Sequence, residues 1–286
     1  MSERVNQEEI FSVSSKSFTA VAVNTAAKAG EWIKTRLGAH SQLALKTSPQ
    51  DLVTEVDKGA ESMIRKLILT HFPGHSFLGE EGVLPGPAAS KEALEKHREA
   101  DYLWIVDPID GTTNFVHGFP FFSVSIALAH KGEVIVGVVY DPIRDELFVG
   151  EKGKGAYLRG RRMEVSGEDK LGDSLLGTGF PANPLFLPLN LEGIRLLAPE
   201  VRNIRTAGSA ALHLAYVAAG RLSGFWEIGL SVWDIAAGSL LVQEAGGQAS
   251  DLTGAPFSLE VRNIVASNGR IHEPFLQKLG EAGLPD

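Results

Sequence analysis

Apolar residues recur at helical spacing through Phe18, Ala22, Ala26, Ala29, Ile33 and Leu37, and Gly38 follows where a helix stop is expected. The same period returns in Ala60, Met63, Ile64, Leu67 and Ile68, with Asp57 as the expected cap and Pro73-Gly74 as the stop. From Phe122 to Tyr140 the period shortens: Val124, Ile126 and Leu128 alternate with smaller residues, Lys131-Gly132 makes a turn, and Val134 to Tyr140 is β-branched and aromatic. This predicts a hairpin, continued as an antiparallel meander through Glu146 to Val149 and Ala156 to Leu158. Further on, the pattern predicts helices at Ser209 to Ala219 and Asp234 to Ala245, and extended segments at Leu222 to Ile228 and Val261 to Ser267. Pro85 to Ala89 reads as an exposed loop, and Ser166 to Asp173 as the join between halves. The class is mixed α/β in layers.

Composition narrows this picture. The chain has 286 residues, 44% of them hydrophobic and 22% charged, enough for one large domain over residues 1–286 made of two intimate halves, about 1–165 and about 166–286. A net charge of −8 argues against nucleic acid as the main partner. Without cysteine there is no disulfide or thiolate site, so any metal must be held by oxygen or imidazole. No apolar run approaches the roughly 18 residues of a membrane span, and the first residues lack a basic-then-apolar signal, so a cytoplasmic protein is expected.

The chemistry concentrates in Trp104-Ile105-Val106-Asp107-Pro108-Ile109-Asp110-Gly111-Thr112-Thr113. Two carboxylates directly after a buried strand sit where an isolated charge is costly. No Arg or Lys lies between Asp101 and His130, which favours a bound cation over a local salt bridge. Pro108 stiffens the turn, and the Ile109 carbonyl can join the two Asp side chains as an oxygen ligand for a hard ion such as Mg²⁺. If a helix starts at Gly111-Thr112-Thr113, its free N–H groups suit a phosphate. Alone, an Asp-Pro-x-Asp-Gly string is more often a simple turn. Its company changes the balance: Glu80-Glu81 after the apolar Ser76 to Gly79, Asp234 at a helix start where N-cap is its plain role, and Asp51 to Asp57 before the second helix.

Four segments in order, Asp51-Leu52-Val53-Thr54-Glu55-Val56-Asp57, Gly79-Glu80-Glu81, Trp104 to Phe115 and Trp233-Asp234-Ile235-Ala236-Ala237, resemble the inositol monophosphatase family of lithium-sensitive, magnesium-dependent phosphatases. Gly208-Ser209-Ala210-Ala211 and Trp226-Glu227-Ile228-Gly229 add weaker matches. The resemblance implies an αβαβα sandwich, commonly a homodimer. It implies that Glu80, Asp107 and the Ile109 carbonyl hold a first Mg²⁺, that Asp107, Asp110 and Asp234 hold a second, and that a third, looser ion shares Glu80. Thr112 with Asp57 matches the pair that activates the attacking water, and Asp110, Gly111, Thr112 and Thr113 match the phosphate-binding stretch. Glu227, with Ser209 and Ala210, matches the region that meets hydroxyls of the leaving alcohol. Metals held this way supply a water of lowered pKa and neutralise the leaving alkoxide in an in-line displacement at phosphorus, without a phosphoenzyme.

Other signals carry less. Gly177-Thr178-Gly179-Phe180-Pro181-Ala182 fits a dinucleotide pattern, but Pro181 and Pro184 oppose a helix beginning at the glycines. His117 reads as a loop residue and His213 as a satisfied core or surface residue. Rival functions within the superfamily are a fructose-1,6-bisphosphatase, an NADP phosphatase or a phosphonucleotide phosphatase. A rival of another class is a regulatory protein that uses the phosphatase fold to bind a transcription or RNA partner.

Overall fold

The computed structural model describes residues 17–37, 43–45, 52–181 and 183–283. Gly38, Asp51 and Ala182, which figure in the expectations above, lie outside them. Helices α1 (Phe18–Lys34) and α2 (Glu55–His71) pack side by side, and a short hairpin, β1 (Leu43–Leu45) with β2 (Leu52–Thr54), lies between them in the chain. Strand β3 (Ser76–Gly79) follows, then α3 (Pro87–Glu95), β4 (Tyr102–Asp110) and the single-turn helix α4 (Thr112–His117). The meander is β5 (Ser123–His130), β6 (Glu133–Asp141), β7 (Glu146–Glu151), β8 (Gly155–Leu158) and β9 (Arg161–Arg162). Strands β3 to β9 form one seven-stranded sheet in sequence order, antiparallel except for the parallel pair β3 and β4. The β5–β6 turn is Lys131-Gly132 with φ of 50° and 82°, the positive-φ pair that a tight hairpin requires.

The second half contributes β10 (Leu175–Thr178), α5 (Leu187–Leu197), β11 (Asn203–Thr206), α6 (Ala210–Ala218), β12 (Gly224–Glu227), α7 (Val232–Glu244), β13 (Gln248–Ser250), β14 (Ile264–Ser267) and α8 (His272–Glu281). Its five strands run in the order β11-β10-β12-β14-β13. Three cores separate the layers. Trp104, Val106, Ile126 and Val138 face α1 and α2, whereas the alternate residues Leu103, Ile105, Ala127 and Val139 face α6 and α7. On the far side of the second sheet, Leu176, Trp226 and Val265 meet α5 and α8 through Leu197, Phe275 and Leu279. The architecture is the expected αβαβα sandwich. Helix α7 is buried nearly all round because it lies between two sheets, which explains its lack of a polar face.

Several local expectations are corrected. Asp57 lies inside the first turn of α2, which begins at Glu55, and does not precede it. The N-cap of α7 is Ser231; Asp234 is three residues further on, and its Oδ2 accepts from the Ser231 amide at 2.7 Å. Proline at the first position of α3 starts a helix inside the segment expected to be loop. His213 is neither on the surface nor satisfied: it is 1% exposed, stacked on Phe225 at 5.0 Å, with both ring nitrogens unpartnered.

Burial pushes the His213 imidazole down to about 4 from an ordinary value of 6.5. A depressed histidine is neutral in the fold while the unfolded chain takes up a proton, so its contribution to stability is lost as pH falls from 6.5 towards 4. Relative to His213→Phe, the wild-type unfolding free energy in urea should therefore decline over that window by up to about 1.4 kcal/mol per pH unit. Parallel curves for the two proteins would contradict the neutral buried state.

Candidate active site

The parallel register of β3 and β4 pairs Gly79 with Val106, so the chain delivers Glu80 beside Asp107 at the carboxyl ends of both strands. In a regular strand, residues three apart face opposite ways. Here the β4–β5 register slips between Asp107 and Asp110, which pair with Ser125 and Ser123, and the extra residue turns both carboxylates into one buried space. Pro108 at the slip has no N–H to leave unpaired. The Ile109 amide donates to Asp107 Oδ1 at 2.9 Å, tightening the turn.

Gly111 then takes φ of 100°, a left-handed conformation suited to glycine, and starts α4. The Thr112 hydroxyl lies 3.0 Å from Asp57 Oδ1 and 3.1 Å from the Ile109 carbonyl, so its one proton is shared between an acid of α2 and the turn. Thr113 is exposed on the same turn. Asp110 is gripped from the other half: Ser209 Oγ donates at 2.5 Å, and the Ala211 and Ala210 amides donate at 2.7 and 3.3 Å. Ser209 and Ala210, expected to meet substrate hydroxyls, thus also hold Asp110 at the start of α6.

Asp234 enters from α7 and Glu227 from the end of β12. Burial drives the Asp107, Asp234 and Glu227 carboxyls well above the ordinary range, and like charges add to it: Glu80 and Asp110 at Asp107, Glu80 and Asp110 at Asp234, and Asp234 and Asp110 at Glu227. Burial also lifts Asp110 to about 6 against the pull of Ser209 and the two amides. The site residues from both halves therefore feel one field. Arg262 adds a weak opposing charge at Asp234, while its Nη1 is committed to the Leu259 and Val261 carbonyls at 2.9 and 2.7 Å.

These all-oxygen, acid-rich donors fit a hard divalent cation. Among the described residues, no three acids or imidazoles already form a finished cage.

Two contributors were missed by the sequence reading. Asn114 donates both amide protons, to the Phe121 carbonyl at 2.6 Å and the Ala207 carbonyl at 2.7 Å, tying the Gly111 turn to the loop before α6. Glu61 of α2 accepts from the Glu81 amide at 2.7 Å. Neither is marked by its neighbours along the chain: the Asn114 bond that joins separate segments reaches 93 residues, and the Glu61 bond 20. The dinucleotide-like glycines serve packing: a Cβ on Gly179 would come within 2.1 Å of Glu227 Oε2.

The layered α/β sandwich thus gathers acids at strand and helix ends beside a threonine–aspartate pair, an arrangement compatible with metal-assisted hydrolysis. Comparison with known proteins specifies it further: the inositol monophosphatase family model matches residues 14–284, and the chain belongs to that family. It is 45% identical to the Nus factor SuhB of Pseudomonas aeruginosa, over 90% of this chain and 93% of that protein. It is 44% identical to an inositol-1-monophosphatase of Mesorhizobium japonicum, over 90% and 94%. Among solved structures, the inositol monophosphatase of Thermotoga maritima superposes with a TM-score of 0.83 at 36% identity, covering 92% of this chain and 97% of that one. The chain is a phosphatase of this family, and no helix among the described residues is long and apolar enough to cross a membrane.

Ser209→Ala removes an O–H donor from a buried carboxylate. The metal-free protein should lose about 1.5–3 kcal/mol of unfolding free energy in urea. An unchanged value would show that the bond does not anchor Asp110.

Proposed function

We propose that this protein hydrolyses inositol monophosphate to inositol and phosphate with Mg²⁺ as its cofactor. The observation that carries the reading is the coupling of Asp107, Asp110, Asp234 and Glu227, drawn from separate strand and helix ends, in one buried space next to Thr112 and Asp57. Glu80, Asp107, the Ile109 carbonyl, Asp110 and Asp234 are the ligands assigned to two or three ions. Bound there, Mg²⁺ would supply a water of lowered pKa and charge neutralisation at the leaving oxygen.

The chain's own residues do the rest. Asp57 accepts the hydrogen bond of the Thr112 hydroxyl, which leaves a lone pair on the Thr112 oxygen to accept from the attacking water and aim it at phosphorus. Gly111, Thr112 and Thr113 receive the phosphate oxygens, and the absence of a side chain at Gly111 allows close approach. Glu227, with Ser209 and Ala210, receives the hydroxyls of the leaving polyol; an acid there offers hydrogen bonds to neutral, hydroxyl-rich alcohols and no positive charge to hold a second phosphate. This ranks a polyol monoester above fructose 1,6-bisphosphate, NADP or a phosphonucleotide. A homodimer in the cytoplasm completes the reading, by likeness to the family.

The relative named Nus factor SuhB supports a second reading, in which the same fold also serves a regulatory partner. The intact acid set favours retention of catalysis beside any such role.

A panel of phosphate esters at equal concentration, assayed for released phosphate with and without Mg²⁺ and Li⁺, tests the proposal. Inositol monophosphate should lead, Mg²⁺ should be required, and a large preference for a bisphosphate would overturn the ranking. Asp110→Asn should abolish most turnover with the circular dichroism spectrum unchanged. Thr112→Ala should reduce kcat by about 10²-fold or more, as expected when a positioned proton partner is lost, with little change in Mg²⁺ affinity. Wild-type kcat in either variant would remove its assigned role.

A further inference from the structure

Glu61 lies one helical turn beyond Asp57 on α2, so both acids project from one face of that helix. It is 7% exposed and its Oε2 accepts from the Glu81 amide at 2.7 Å, with the Gly82 amide as a further donor to the same carboxylate. The turn it grips, Glu80–Gly82, directly continues β3. The approach is so close that a Cβ on Gly79 would stand 2.3 Å from Oε2 and 2.5 Å from Cδ. A side chain at 79 would therefore have to push the Glu61 carboxylate aside, although the backbone there is ordinary extended chain with φ of −117°. A further turn along α2, Arg65 lies over the Phe77 ring with its guanidinium carbon 4.4 Å from the centroid; burial, with the like charge of Glu80, holds the Glu61 carboxyl above the usual range, and the two amides and Arg65 only partly offset this.

We propose that Glu61 is a positioning residue for Glu80: it fixes the Gly79–Gly82 turn so that the Glu80 carboxylate is presented beside Asp107. The inference rests on the reading of Glu80 as a metal ligand. Its physical basis is that one rigid helix carries two carboxylates with separate tasks. Asp57 engages Thr112 at the end of β4, and Glu61 engages the backbone at the end of β3. The helix thereby indexes two neighbouring strand ends against each other. Without the carboxylate, two amides of the turn lose their acceptor at once, and Glu80 loses the constraint on its direction. Groups that orient metal ligands from behind typically alter metal affinity or activity by about 10–100-fold when removed. A carboxylate that merely capped a turn would change stability and leave metal affinity alone.

The test uses the full-length protein with four variants: Glu61→Ala, Glu61→Gln, Gly79→Ala and Glu80→Gln. For each, the Mg²⁺ dissociation constant is measured by calorimetry, kcat and KM are measured at saturating Mg²⁺ with inositol monophosphate, and folding is checked by circular dichroism. Glu61→Ala should weaken Mg²⁺ binding about tenfold or more and lower kcat, with KM changed less than about twofold. Glu61→Gln should recover part of both losses, because its amide oxygen still accepts one N–H. Gly79→Ala, which forces the Glu61 carboxylate away from the turn, should reproduce the alanine phenotype even if Glu61→Ala fails to fold. If Glu80→Gln is defective while folded Glu61→Ala and Gly79→Ala bind Mg²⁺ and turn over like wild type, the positioning role is refuted. If Glu80→Gln itself binds and turns over normally, the metal-ligand reading fails and takes the inference with it.

Discussion

Burial of like charges is the constraint on which the rest of this structure depends. Three buried acids, Asp107, Asp110 and Glu227, and the half-buried Asp234 stand near one another, where like charge raises the cost of ionising them. Hydrophobic burial in the three cores keeps the strand and helix ends that bear them in place. The charge set itself is a source of electrostatic strain of the kind that a divalent cation would relieve. A fold that invests buried carboxylates in this way resists replacement of any one of them by a neutral group for function, although the metal-free chain gains from it electrostatically.

The topology makes such a gathering feasible. Parallel β3 and β4 put Glu80 and Asp107 side by side, the slipped register of β4 turns Asp110 the same way, and the crossover layer of α6 and α7 brings in Asp234. The two halves are not merely stacked. Asp110 of the first half is bonded to the start of α6 in the second, and Asn114 spans from the Gly111 turn to the Ala207 carbonyl. Relative displacement of the halves would therefore disturb the acid set directly.

Much of this was legible in the sequence, because the informative features are local. The run Trp104 to Thr113 reads as strand end, stiff turn and helix start, although β4 does not stop at Val106 but continues through a register slip to Asp110, and the alternation in Val124, Ile126 and Leu128 fixes which face of the sheet meets α1 and α2. The helix at Pro87 was hidden by Pro85 and Gly86, which read as turn residues although proline at a first helical position is compatible with a start. An acid at a helix start usually caps it, which is the reading that Asp57 and Asp234 invite; their positions inside the first turn follow from helix starts set by Glu55 and Ser231. His213 was misjudged because nothing in its neighbours along the chain reveals that Phe121 and Phe225 enclose it. Glu61 was invisible for the same reason: a glutamate on an amphipathic helix reads as part of the solvated face until the turn at Glu80–Gly82 is folded against it.

The central claim is that acids from both halves of the chain share one cation site. Calorimetric titration of Mg²⁺ into the wild-type protein, Asp107→Asn and Asp234→Asn tests it most directly. The account predicts saturable binding in the wild type and severe weakening in both variants, one from each half. Absence of binding in the wild type, or undiminished binding in the two variants, would contradict it.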